Sequence, residues 1–253
     1  MARLTFAALA LAGALLGLPG CSTSPTATSE PKSAQKSVAT FGTSTIIGRA
    51  TYDGPPRKAA PIDMDSVPAC ARQHLKPALD DSTLVDRTGG LANVYVWVKA
   101  GIPRTGWTFA PSNAHIDQVG CVYTPRVVAI QAGEGVEFTN HDPTNHNIHP
   151  VPQINAEVNR IQAPQGEPLI ERFPAAEVGI LIKCNVHPWM RAWVHVAENP
   201  YFALTQADGS FKINNLPDGS YTLGAWHEKL GQLEAKVVVK KGESTAANFT
   251  FKE

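Results

Sequence analysis

From residue 45 onward the chain alternates apolar and polar residues in short runs, each cut off by turn-forming residues, and it nowhere sustains a helical period. Val94, Val96 and Val98 alternate with Tyr95, Trp97 and Lys99, which reads as a strand with one buried face. Val127 to Gln131 and Val136 to Phe138 flank Ala132-Gly133-Glu134-Gly135, a strand, turn and strand. Ile170 to Phe173, Ile180 to Lys183 and Ala192 to Val196 follow the same rule. Twenty prolines and twenty glycines suit many turns and short strands better than long helices. The expectation is an all-β chain built as β-sandwiches.

The N-terminus reads differently. Arg3 precedes an almost wholly apolar run from Leu4 to Leu18, too short to span a bilayer comfortably but suited to a signal peptide over residues 1–20. That run ends in Leu18-Pro19-Gly20-Cys21, which resembles the bacterial lipobox, although Pro19 is an unusual occupant of its position. The resemblance implies cleavage before a lipidated Cys21; the alternative is an ordinary secretory signal with Cys21 incidental. Residues 21–44 are rich in Ser, Thr, Pro, Ala and Lys and carry one aromatic residue, Phe41, so they are expected to be a disordered tether. No second apolar stretch is long enough to span. The expected location is the bacterial cell envelope, on the periplasmic side, with Ser22 after the cysteine favouring the outer membrane. Lys plus Arg and Asp plus Glu balance at 22 each, with no basic stripe, which argues against a nucleic-acid partner.

In the C-terminal section Asp208-Gly209 and Pro217-Asp218-Gly219 are hairpin turns set among alternating apolar residues. The run TQADGSFKINNLPDGSYTLGAWHEKLG resembles the carboxypeptidase regulatory-like (transthyretin-like) β-sandwich, a marker of fold rather than of function. Some 54 residues are few for an independent sandwich. The opening strands that the resemblance implies are found upstream, in IIGRATYDGPP and ANVYVWVKAG. The expected division is one discontinuous sandwich over 45–101 and 200–253 with a second domain, 102–199, inserted. The alternative is one elaborated domain over 45–199 with a small appendage.

The chemistry lies in the inserted region, in FTNHDPTNHNIHP (138–150) and IKCNVHPWMRAWVHV (182–196). The second motif brings a thiol, an imidazole and a thioether within seven residues as Cys184, His187 and Met190. Soft sulfur together with imidazole selects copper, and two His with one Cys and a distant Met define a blue-copper electron-transfer site. The first motif must supply the other imidazole. Its histidines, His141, His146 and His149, are spaced so that neighbours in the sequence face opposite sides of a regular strand, and spacing alone does not choose among them.

Over residues 122–197 the chain resembles the cupredoxins, and among them the amicyanin-like domains. The correspondence lies in His146-Asn147-Ile148-His149 and in the loop from Cys184 to Arg191, including the proline after the second histidine. That resemblance implies one type 1 copper ion held by His146, Cys184, His187 and Met190, in a Greek-key sandwich. It implies that Asn147 ties the ligand loops together and that Pro188, with φ fixed, presets the loop. It also implies that Pro188 and Trp189 rim a partly exposed His187 where a redox protein docks. The segment 151–179 is long and includes an Asn/Gln-rich stretch that does not align, and the flanking sandwich has no counterpart in a single-domain cupredoxin.

With Cys21 assigned to lipid and Cys184 to metal, an oxidising compartment favours pairing Cys70 with Cys121; two buried thiols are the alternative. His195 and His227 read as structural. His141, His149 and Asp142 are a candidate secondary site, and His74 and His115 carry no local support. No Ser/His/Asp arrangement, phosphate loop or carboxylate pair points to bond chemistry, so the expectation is a one-electron carrier and not an enzyme. The alternatives are a copper chaperone or storage lipoprotein with the same ligands, and a structural surface protein without redox activity.

Overall fold

The computed structural model describes residues 41–102 and 113–253. The signal peptide, Cys21 and nearly all of the expected tether lie outside the described residues. The regular structure of those residues is almost entirely strand, with a single four-residue helix, as the turn-punctuated alternation requires. None of their helices is long and apolar enough to cross a membrane.

In chain order, β1 (Ser44–Asp53) is followed by α1 (Pro68–Ala71) and β2 (Tyr95–Ala100). Nine strands come next: β3 (Asn113–Val119), β4 (Val122–Thr124), β5 (Val127–Gln131), β6 (Gly135–Asn140), β7 (His146–Val151), β8 (Arg160–Gln162), β9 (Leu169–Arg172), β10 (Glu177–Lys183) and β11 (Arg191–Ala197). The last six are β12 (Phe202–Leu204), β13 (Ser210–Leu216), β14 (Gly219–His227), β15 (Gly231–Val239), β16 (Ser244–Ala246) and β17 (Phe249–Lys252).

Two apolar cores organise them. Strands from both ends of the chain share the first. One of its sheets runs β13-β1-β16 with β17 also paired to β1, and the other runs β12-β2-β14-β15. Ile46, Val96, Val98, Phe211, Leu223 and Phe251 meet between them. The second core lies between a five-stranded sheet, β5-β11-β10-β7-β8, and a four-stranded sheet, β4-β3-β6-β9. Ile116, Phe138, Ile148, Ile180, Ile182 and Val194 fill it.

Two features depart from the sequence reading. Strand β2 was expected to bury one face only, yet Tyr95 is as buried as Val94 and Val96. Its outward face is covered by β11: the Tyr95 ring stacks on His195 with centroids 4.2 Å apart, and Trp226 meets Trp193 edge-on at 5.0 Å. The guanidinium of Arg126, beside the second core, adds a buried link to Glu228 beside the first, and also bonds Asp81. The second departure concerns the excursion between β1 and β2, expected to belong wholly with the C-terminal strands. Ile62, Met64, Val67, Cys70, Ala71 and Ala78 pack into the second core instead. The excursion closes on itself through the Pro61–Leu79 bridge and the Ile62 N–H to Ala78 carbonyl bond of 2.8 Å. It forms a cap over one end of that sandwich.

Candidate metal centre

Strand register places the site. Strand β10 pairs antiparallel with both β7 and β11, and Lys183 at its end lies opposite His149 on one side and Arg191 on the other. The next seven residues, Cys184 to Met190, are the turn into β11. His146 lies three residues beyond His149 toward the start of β7, level with that turn. The turn is held tightly: the Met190 N–H donates to the His187 carbonyl at 3.0 Å, and the Cys184 N–H to the Met190 carbonyl at 3.3 Å.

His146, Cys184 and His187 converge. One donor atom from each lies within 4.8 Å of the other two, and all three residues are buried. The two Nδ1 atoms face each other at 2.9 Å, and Cys184 Sγ is 3.7 Å from Nδ1 of His187. Met190 is 1% exposed. The far side of the His146 ring is fixed by Asp142, whose Oδ2 lies 2.8 Å from Nε2. A carboxylate at that distance takes the Nε2 proton, so Nδ1 is the nitrogen that faces the thiol and the other imidazole and offers its lone pair once the ring is neutral. This is the arrangement by which carboxylates orient metal-binding histidines. Asp142 is itself fully buried and accepts the N–H groups of Gly120 at 2.6 Å and Cys121 at 2.8 Å.

The electrostatics favour a thiolate. Burial opposes ionisation of Cys184, but His146 and the backbone N–H groups of Asn147, His187 and Val186 outweigh it, and its pKa falls below the usual thiol value. Burial likewise disfavours a charged His146, yet Asp142 and Cys184 outweigh that and raise its pKa. For His187, burial and the neighbouring His146 outweigh the pull of Asp142 and push it down to about 4. At neutral pH it is an uncharged imidazole, the form that binds a metal.

The other residues singled out in the sequence fall into place individually. Asn147 donates its backbone N–H to Cys184 Sγ at 3.2 Å. Its side-chain NH2 bonds Asn159 at 2.9 Å while its Oδ1 accepts from Cys184 Sγ at 3.9 Å, so backbone and side chain both reach the ligand loop. His149 points away from the donor set, bonding Asn185 at 2.9 Å and Glu157 at 2.6 Å. His141 pairs with Asp117 at 2.7 Å, so His141, His149 and Asp142 do not assemble into a second site. His195 and His227 are buried, packed against Tyr95 and Trp226 and against Phe251 respectively. Pro188 is exposed at the tip of the ligand loop.

His187 is where the structure corrects the sequence reading. It was expected to be partly exposed and is 0% exposed. Cys70 and Cys121 are joined in a disulfide with Cα atoms 5.5 Å apart, and Cys70 Sγ lies 3.6 Å from Nε2 of His187. The Trp189 ring covers another side at 5.3 Å, anchored by an Nε1–H bond of 2.9 Å to the Cys121 carbonyl. Cys184 is the one free cysteine among the described residues. Sequence reasoning missed the role of Asp142 at His146 and the cap over His187.

No family model matches the chain, and no curated protein sequence does. Among solved structures it is similar to a purple cupredoxin from Nitrosopumilus maritimus, at 25% identity over 33% of this chain and 99% of that one, with a TM-score of 0.28. It is similar to a Cu(I) form of an amicyanin variant, at 17% identity over 40% of this chain and 98% of that one, with a TM-score of 0.30. A copper-containing nitrite reductase from Thermus scotoductus SA-01 matches at 17% identity over 58% of this chain and 28% of that one, with a TM-score of 0.31. Superpositions this partial carry no weight for function; the donor geometry does.

Proposed function

We propose that this protein is a carrier of single electrons in which His146, Cys184, His187 and Met190 would hold one type 1 copper ion. The observation that carries this reading is the buried convergence of a thiol and two imidazoles, one of them fixed by Asp142 in the tautomer that offers its lone pair inward. Sulfur with imidazole is the donor chemistry that copper prefers. When bound, copper alternates between Cu(II) and Cu(I), which moves one electron and breaks no bond in a substrate.

The chain's own residues supply rigidity. Asp142 holds the His146 ring, the Asn147 N–H holds the sulfur, and the backbone bonds within the ligand turn hold His187 and Met190. Burial of all four side chains favours retained metal over a rapidly exchanging chaperone site. With the His187 edge covered, the partner surface of this reading centres on the partly exposed Trp189 and the exposed Pro188. In the same reading, the lipobox-like Leu18-Pro19-Gly20-Cys21 supports a lipid anchor at Cys21 facing the periplasm.

The test is optical. Purified mature protein given Cu(II) is expected to show an intense thiolate-to-copper band that ascorbate bleaches reversibly, and Cys184→Ser is expected to abolish the band. A band that survives in Cys184→Ser overturns the assignment.

A further inference from the structure

The turn between β3 and β4, Gly120-Cys121, gathers an unusual number of contacts. Both residues take positive φ, 66° and 55°. Gly120 lies so close to the cap that a Cβ there would come within 2.9 Å of the His74 ring. The Gly120 carbonyl bonds His74 Nε2 at 2.7 Å, and Gln73 reaches Cys121 Sγ at 3.6 Å. On the other side the same two residues give their N–H groups to Asp142, which holds His146. The Cys121 carbonyl anchors Trp189, which lies against His187. The disulfide sulfur of Cys70 then touches the Nε2 edge of His187. One two-residue turn therefore joins the cap to both imidazoles of the donor set.

Neither sulfur of the pair is exposed, and both pack in the core that holds Cys184 and Met190. A disulfide meant only to tether the excursion could sit anywhere along it. This one lies against a ligand on the side facing away from the donor set. We propose that the Cys70–Cys121 disulfide is a positioning group of the metal centre: it closes the Nε2 edge of His187 and holds that ring in register, so the state of this one bond governs how readily metal leaves. Opening it takes a two-electron reductant: a dithiol gives up two electrons and two protons and becomes a disulfide, or a phosphine gives up two electrons and, with one water supplying the two protons, becomes its oxide. The Cys70–Cys121 bond breaks to two thiols, and the cap is left held only by noncovalent bonds.

The proposal deepens the copper reading and rests on it for one of two measurements. In the first, metal-free native protein is treated with diethyl pyrocarbonate, with and without prior reduction by a water-soluble phosphine, and His187 modification is followed by peptide mass spectrometry. Exposed His115 serves as the internal reference. His187 is expected to react slowly while the disulfide is intact and much faster once it is broken; equal rates overturn the proposal. In the second, copper loss to a chelator is compared between native protein and the Cys70→Ala/Cys121→Ala variant. The variant is expected to lose copper about ten- to a hundredfold faster, the range typical when a group supporting a ligand is removed. Equal loss rates from a variant that melts cooperatively also overturn it. If native protein takes up no copper, the copper reading fails, and the His187 modification rate still decides the proposal.

Discussion

His195 offers a direct measure of how tightly the two sandwiches are joined. Its ring is fully buried between Tyr95 and Trp226, and the Gly179 N–H donates to Nδ1 at 3.1 Å. The proton must then sit on Nε2, which has no hydrogen-bond partner. Burial alone pushes its pKa down to about 3. An unfolded chain restores the ring to about 6.5. Between those two values the unfolded state binds a proton that the folded state refuses, so stability is constant above the upper value and is lost as pH falls below it. At pH 5, one and a half units into that window, the loss is about 2 kcal/mol. His195→Asn keeps an acceptor for the Gly179 N–H and removes the titration. The variant is less stable at every pH, but its further loss between pH 7 and pH 5 is expected to be about 2 kcal/mol smaller than that of the native chain. His187 and His227, pushed down to about 4, titrate in both proteins and cancel in the difference. The assay is urea denaturation of metal-free protein at the two pH values. Identical pH-dependent losses would refute the buried, neutral imidazole at the junction.

Two further outcomes follow from other contacts. Asp142→Asn removes the charge that fixes the His146 tautomer and is expected to weaken copper binding about ten- to a hundredfold in competition with a Cu(II) chelator; unchanged affinity counts against Asp142 as the orienting group. Arg126→Met strips the cation from Glu228, whose side chain is only 5% exposed, and is expected to cost about 3–5 kcal/mol in chemical denaturation. A loss under about 1 kcal/mol, the range of an exposed ion pair, would show that the junction admits water.

The all-β architecture was legible because strand pattern and turn chemistry are local signals. Asp208-Gly209 and Gly133 sit at turns that need positive φ or a tight reversal, and the strands on either side follow. Burial on the second face of β2 was not legible. Tyr95, Trp97 and Lys99 read as the solvent side of an alternating strand, and whether Tyr95 meets water or His195 depends on what another 100 residues of chain place against it. Trp226 and Trp193 carry the same ambiguity, since an aromatic ring suits an interface and a half-exposed strand equally well.

The candidate metal centre divides along the same line. Cys184, His187 and Met190 lie on one turn, so local spacing was enough to single them out; His146 starts the strand next to it and was told from His141 and His149 only by the cupredoxin resemblance. Asp142 lies four residues before His146 in an irregular loop, where no periodicity announces which way a carboxylate points. The cap is more remote still: Cys70 reaches His187 across 117 residues, and only its pairing partner could be inferred. Composition foretold that Cys70 and Cys121 would pair, but not that the bond would lie against an imidazole. That placement changes the physical character of the centre. A histidine edge open to water lets a partner, a small ligand or a chelator approach the donor set directly; one closed by sulfur, indole and an apolar cap leaves Trp189 as the side chain that both touches His187 and reaches the surface. On the proposed reading, an electron-transfer partner would meet the Pro188-Trp189 tip of the ligand loop together with the cap beside it, where Ala60, Ile62 and Asp63 line the same groove of about 360 Å³.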